Sequence, residues 1–199
     1  MYLGPPIDDA AILEALPPEL SNLLRRANGY VAYHGGLHVR GACHEPEWHS
    51  LRAAWYGPKA VHRLFPAVHA DDIPFGEDAL GNQLVIREGV VHRLDGETGE
   101  LESLEVDLAD FDAATRADPI GYLHLLPLER FRGEGGVLQP GQLLNVYPPY
   151  VFKESEDGVS LRAIAAADRL GFLSTLAEAL RGVPEGTTIV IPPSPSGAA

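Results

Sequence analysis

Gly81-Asn82-Gln83-Leu84-Val85-Ile86, then Glu88-Gly89, then Val90-Val91-His92-Arg93-Leu94: this stretch decides the fold class. Two short apolar runs rich in β-branched residues flank a turn dipeptide, the pattern of an antiparallel hairpin. The turn-rich Asp95-Gly96-Glu97-Thr98-Gly99-Glu100 follows, then Leu101 to Val106 as a third strand. Connections this short leave no room for the crossover that parallel strands need. Working outward, Tyr30 to Arg40 reads as two short strands around Gly35-Gly36, and Leu143 to Phe152 as extended chain broken at Pro148-Pro149. Helices are expected after Asp8 or Asp9, over Glu19–Ala27, Pro46–Tyr56, Asp107–Ala117 and Ser160–Leu180. Their apolar residues recur at helical spacing, and Asn28-Gly29 supplies a left-handed stop to the second. Val61 to Val68 reads as irregular or extended, and Thr187 to Ile191 as a last strand. The expectation is one α+β domain over residues 1–191, a mostly antiparallel sheet flanked by helices, with a flexible tail at 192–199.

The chain has 199 residues, 28 acidic and 15 Lys+Arg, for a net charge of −13. With 45% hydrophobic and 22% charged residues it has the composition of a globular protein. The acidity excludes a general nucleic-acid binder, which needs a basic face, and disfavours an anionic membrane surface. No run approaches eighteen apolar residues and no targeting segment is visible, so a cytosolic location is expected. The lone Cys43 excludes an internal disulfide and an all-cysteine zinc site. Residues 1–69 balance six acids against six bases. Residues 70–118 hold fourteen acids and three arginines, a net −11, so the excess is local. A single-sign field of this kind speeds association with a basic partner; otherwise it is a solvated face that keeps the protein soluble.

Leu16-Pro17-Pro18-Glu19-Leu20, then Leu23-Leu24 and Asn28-Gly29, resembles the opening helix of the SUKH superfamily, the group of the Smi/Knr-type proteins. Ile73-Pro74-Phe75-Gly76-Glu77-Asp78 with Gly81-Asn82 resembles that family's second phrase. Val91-His92-Arg93-Leu94-Asp95 fits its next strand, and Leu108-Ala109-Asp110-Phe111 the short helix after it. The likeness spans about residues 16–117, and residues 118–191 form a C-terminal extension without a family motif. What the resemblance implies is a SUKH-like α+β scaffold that binds proteins and has no catalytic constellation. Bacterial members of this kind look like immunity proteins that neutralise a toxin, often a nuclease; eukaryotic ones look like regulatory scaffolds. On this reading the partner is a toxin with a basic surface. The candidate contacts are Asp71, Asp72, Glu77, Asp78, Asp95, Glu97 and Glu100.

Other residues have the types that metal, phosphate or nucleophile chemistry uses. His34, His38, His44 and His49, with Cys43, Glu45 and Glu47, are the right types for a mixed zinc site, although their spacing fits no standard pattern. A loop starting at Asp95 has Glu100 at its sixth position and Val106 at its twelfth, where calcium loops carry Gly and Glu. The Gly133–Gly141 segment lacks the Lys-Ser/Thr ending of a phosphate cradle, and no Gly-x-Ser-x-Gly elbow occurs. The chain therefore reads as a non-enzyme that needs no cofactor. A regulatory scaffold without a toxin, or a metal protein using the His34–His49 cluster, are the alternatives.

Overall fold

The computed structural model describes residues 1–184 together with Gly186 and Thr187. Strands β1 (Tyr2–Leu3), β2 (Tyr30–Ala32), β3 (Leu37–Val39), β4 (Ile73–Asp78), β5 (Gln83–Arg87), β6 (Val90–Leu94) and β7 (Leu101–Ser103) form one sheet in chain order. Every neighbouring pair is antiparallel. Opposite Arg87 stands Val90, so the β5–β6 loop is Glu88-Gly89 alone. Both residues have positive φ, 52° and 83°, a mirror-image turn that matches the right-handed twist of the strands.

The helices are α1 (Ala10–Ala15), α2 (Pro18–Arg26), α3 (Leu51–Tyr56), α4 (Val61–Leu64), α5 (Leu108–Ala117), α6 (Pro119–Tyr122), α7 (Leu126–Gly133) and α8 (Ala166–Leu180). Local chemistry places their ends. Asp9 caps α1 by accepting from the Ile12 amide, Ser50 caps α3 through Ala53, and Asp107 caps α5 through Asp110. After α2 the buried Asn28 side chain accepts from the Ala42 amide and donates to the Pro5 carbonyl, and Gly29 turns with φ +73°. The Asn-Gly phrase thus ends a helix and also fastens two loops.

β5 is buried along nearly its whole length because both sheet faces are covered. Leu84 and Ile86 point into a core with Phe75, Phe111, Leu20 and Leu24. Val85 points the other way, into a cluster with Leu94, Phe65 of the segment after α4, and Leu173 and Ala177 of α8. A continuous apolar run is what such a doubly covered strand requires.

Three expectations are corrected. The Ser160–Leu180 segment is not one helix: Ser160–Ala165 is strand β9, paired antiparallel with β8 (Gln142–Tyr147), and the helix starts at Ala166. Its alternating first residues, not its helical second half, govern that piece. Pro46–Tyr56 is split into a 3₁₀ turn at Glu47–His49 and α3, because Ser50 leaves helical geometry to act as a cap. Val61–Leu64 is a helical turn rather than extended. The strand expected over 187–191 and the tail at 192–199 lie outside the described residues, apart from Thr187, which is in no strand.

The extension is joined to the sheet by specific bonds. The Leu144 amide donates to the Ala79 carbonyl, and α8 sends Arg169, 1% exposed, to the β4–β5 turn. Among the described residues no helix is long and apolar enough to cross a membrane.

Candidate functional site

Of the seven acids singled out in the sequence, the structure leaves Asp71, Asp95 and Glu100 exposed and buries Asp72, Glu77, Asp78 and Glu97. The four buried carboxylates already have partners within the chain, so the expectation that they meet an external partner is corrected: in this fold they are structural.

Glu77 is the most heavily engaged. Strand register sets His38 of β3 and Gln83 of β5 directly opposite it. One carboxylate oxygen accepts from Arg40 Nη2 at 2.9 Å and Gln83 Nε2 at 3.1 Å; the other faces His38 Nδ1 at 3.0 Å. Burial opposes its charge, but Arg40, His38 and Gln83 hold the carboxyl down to about 2. Asp78 knots the β4–β5 turn by accepting from the amides of Leu80, Gly81 and Asn82 and from the Asn82 side chain. Burial pushes it up to about 6 against those donors. Asp72 takes a bidentate pair of bonds from Arg87 at 2.6 and 2.9 Å.

Glu97 decides where the exposed acids sit. Asp95 accepts from the Glu97 and Thr98 amides, and Gly99 turns with φ +73°, so the 95–100 loop is tightly wound. That winding points Glu97 inward. It accepts from the Val151 amide at 2.9 Å and lies 3.6 Å from Arg169. The loop Tyr147-Pro148-Pro149-Tyr150-Val151 is thereby clasped to the acidic turn. Tyr147, Tyr150 and Val151 remain 59%, 45% and 40% exposed. Beside them a groove of about 690 Å³ runs past Phe65, Pro66, Glu100, Val151, Phe152 and Leu180. The exposed Glu100 carboxylate thus lines one groove with Val151 and Phe152, next in chain to the exposed Tyr150, the residue types of an interface with anchors and a charged rim.

The histidines do not converge. His34 and His44 are exposed, while His38 and His49 are buried and bonded to each other, Nε2 to Nδ1, at 2.9 Å. All four ring nitrogens of that pair are engaged, and among the described residues no three His, Cys, Asp or Glu side chains gather as a metal site would need. Cys43 is buried, and burial with nearby carboxylates pushes its thiol up to about 11, far from a reactive thiolate.

Two features escaped the sequence reading. Tyr147-Pro148-Pro149-Tyr150, whose tyrosines are exposed, was visible as a proline-broken strand, but its role as a docked loop depends on Glu97. Arg169 lies four residues before Leu173 on the apolar side of α8; a lone arginine there signals a buried acid elsewhere.

No protein-family model matches the chain, and no curated protein matches it. Among solved structures it is similar to Atu4351 from Agrobacterium tumefaciens, with a TM-score of 0.50 at 16% identity over 89% of this chain and 82% of that one. At that identity the likeness concerns the fold alone. The chain has an α+β fold, a seven-stranded antiparallel sheet flanked by helices.

Proposed function

We propose that the protein is a non-enzymatic binding module of the SUKH type, a cytoplasmic immunity protein that occludes a bacterial toxin with a basic surface. A nuclease is the toxin class whose phosphate-binding lysines and arginines suit this face best. The reading rests on the SUKH-like phrases at residues 16–117 and is carried by one observation: Glu97 joins the acidic turn to the Tyr147–Val151 loop. Asp95 and Glu100 supply charge at the rim, Tyr150 and Val151 supply apolar anchors beside them, and Asp71 adds to the field. Rim charge raises the association rate, and buried anchors slow dissociation. The test is growth protection on co-expression with the toxin. Wild type protects, and Asp95→Asn/Glu100→Gln/Tyr150→Ala loses protection while remaining folded. Equal protection by the triple variant contradicts this face. Stable binding to a housekeeping protein with no toxin in the cell favours the regulatory scaffold instead.

A further inference from the structure

Four groups stand in a buried line: the Glu77 carboxylate, the His38 ring, the His49 ring and the Asn28 carbonyl. Three links join them, Glu77 Oε1 to His38 Nδ1 at 3.0 Å, His38 Nε2 to His49 Nδ1 at 2.9 Å, and His49 Nε2 to the Asn28 oxygen at 3.0 Å. Each link needs one proton, but both ends of the line are acceptors. Two neutral imidazoles bring only two N–H groups. With two, one link sets lone pairs against each other in a buried site. The count therefore requires a third proton.

The surroundings say where it goes. A carbonyl carries no proton, so His49 Nε2 holds one and donates it to Asn28. Burial, together with His38 and Arg40, holds His49 down to about 4, so its Nδ1 is a bare acceptor at neutral pH and His38 Nε2 donates to it. The third proton then lies between His38 Nδ1 and Glu77. Arg40 and Gln83 on the other carboxylate oxygen keep Glu77 ionised. Burial, the largest influence, and Arg40 lower the His38 pKa below its ordinary value, and the Glu77 carboxylate works against them. The cation is required by the three links, which two neutral rings cannot all fill. The Trp48 ring lies 5.1 Å from the His38 ring, tilted by 51°, and the Tyr2 and His49 rings meet edge to face. We infer that the buried Glu77–His38–His49–Asn28 line holds one proton beyond two neutral imidazoles at neutral pH, as a His38 imidazolium bonded to Glu77.

This line ties β3 and β4 to the 41–50 loop, which is otherwise closed by the Gly41 amide on the His49 carbonyl and the Leu51 amide on Gly41. Raising the pH until the proton leaves opposes two lone pairs and loosens that loop. The inference stands apart from the proposed toxin partner.

Long-range ¹H–¹⁵N NMR of the histidine rings at pH 7 tests it. Three ring N–H groups across His38 and His49 are expected, two of them on His38; two in all overturn it. Glu77→Gln provides the second arm. Its amide N–H supplies the third hydrogen itself and its carbonyl still accepts from Arg40, so the folded variant shows only two ring N–H groups. Three in that variant overturn the placement beside Glu77. If the variant does not fold, the wild-type count decides alone. On alkaline titration the Gly41 and Leu51 amides are expected to exchange faster than the intrinsic rise as the His38 signature disappears; unchanged protection through that titration overturns the coupling.

Discussion

Glu77 carries three donors on two oxygens in a buried site. Arg40, fully buried, also spends one nitrogen on the Pro74 and Gly76 carbonyls, so it cannot swing away if the carboxylate is lost. Glu77→Ala leaves a buried guanidinium without its counter-ion and is expected to cost about 3–5 kcal/mol in urea unfolding. Glu77→Gln keeps the shape and the acceptor for Arg40 and is expected to cost less. His49 makes a separate prediction. Its folded pKa of about 4 lies below the ordinary value of 6.5, so the unfolded chain binds the proton first as pH falls. The stabilisation from a neutral His49 is full above pH 6.5 and is lost as pH falls through 4, a change of about 3 kcal/mol. His49→Gln is expected to flatten the stability profile over that window in thermal melts at stepped pH. The ring is hemmed in by Gly4 and Gly41, where an added Cβ would strike it, so the site tolerates no larger neighbours.

α8 is the element whose first turn decides how the C-terminal extension docks. Arg169 donates to the Leu80 carbonyl and to Asn145 at 3.1 Å each and faces Glu97. It thereby joins the β4–β5 turn, the β8–β9 hairpin and the acidic loop. Arg169→Met is expected to destabilise the protein by about 3 kcal/mol, since Glu97 stays inside without its cation. Amide exchange should rise first in the hairpin, residues 142–165; uniform acceleration over the whole sheet would contradict a local latch. This element also marks the limit of sequence reading. The meander β5–β6–β7 was legible because its apolar pattern and its Glu88-Gly89 turn are local. The helices over 10–26 and 108–117 were legible from caps and spacing. β9 was not, because Ser160–Ala165 runs into a helix without a turn residue and its pairing with β8 is a tertiary fact. The site was legible only in part. Charge along the chain cannot distinguish a carboxylate facing water from one facing Arg40 or Arg169, which lie far away in sequence. Glu97 and Glu100 look alike as residues; the winding of their loop turns one inward and leaves the other exposed.

At the scale of the whole molecule, the net −11 of residues 70–118 divides into two populations. Asp72, Glu77, Asp78 and Glu97 are spent on holding the fold, with Arg40 and Arg169 brought in from outside the stretch. The acids that remain at the surface include Asp71, Asp95 and Glu100, the last of which lines the groove with Val151 and Phe152. Neutralising these three as Asp71→Asn/Asp95→Asn/Glu100→Gln is expected to leave the melting temperature nearly unchanged, because none of the three side chains is buried and Asn at 95 keeps the oxygen that accepts from the Glu97 and Thr98 amides. It should slow association with a basic partner at low salt and weaken the salt dependence of the rate. The most direct measurement compares retention of a basic partner from the native cell by wild type and by Asp95→Asn/Glu100→Gln/Tyr150→Ala, at low and at raised salt. A basic protein is expected to be held by wild type, released progressively with salt, and lost from the triple variant. The same protein held equally by both would contradict the claim that the acidic turn and the Tyr147–Val151 loop form the binding face.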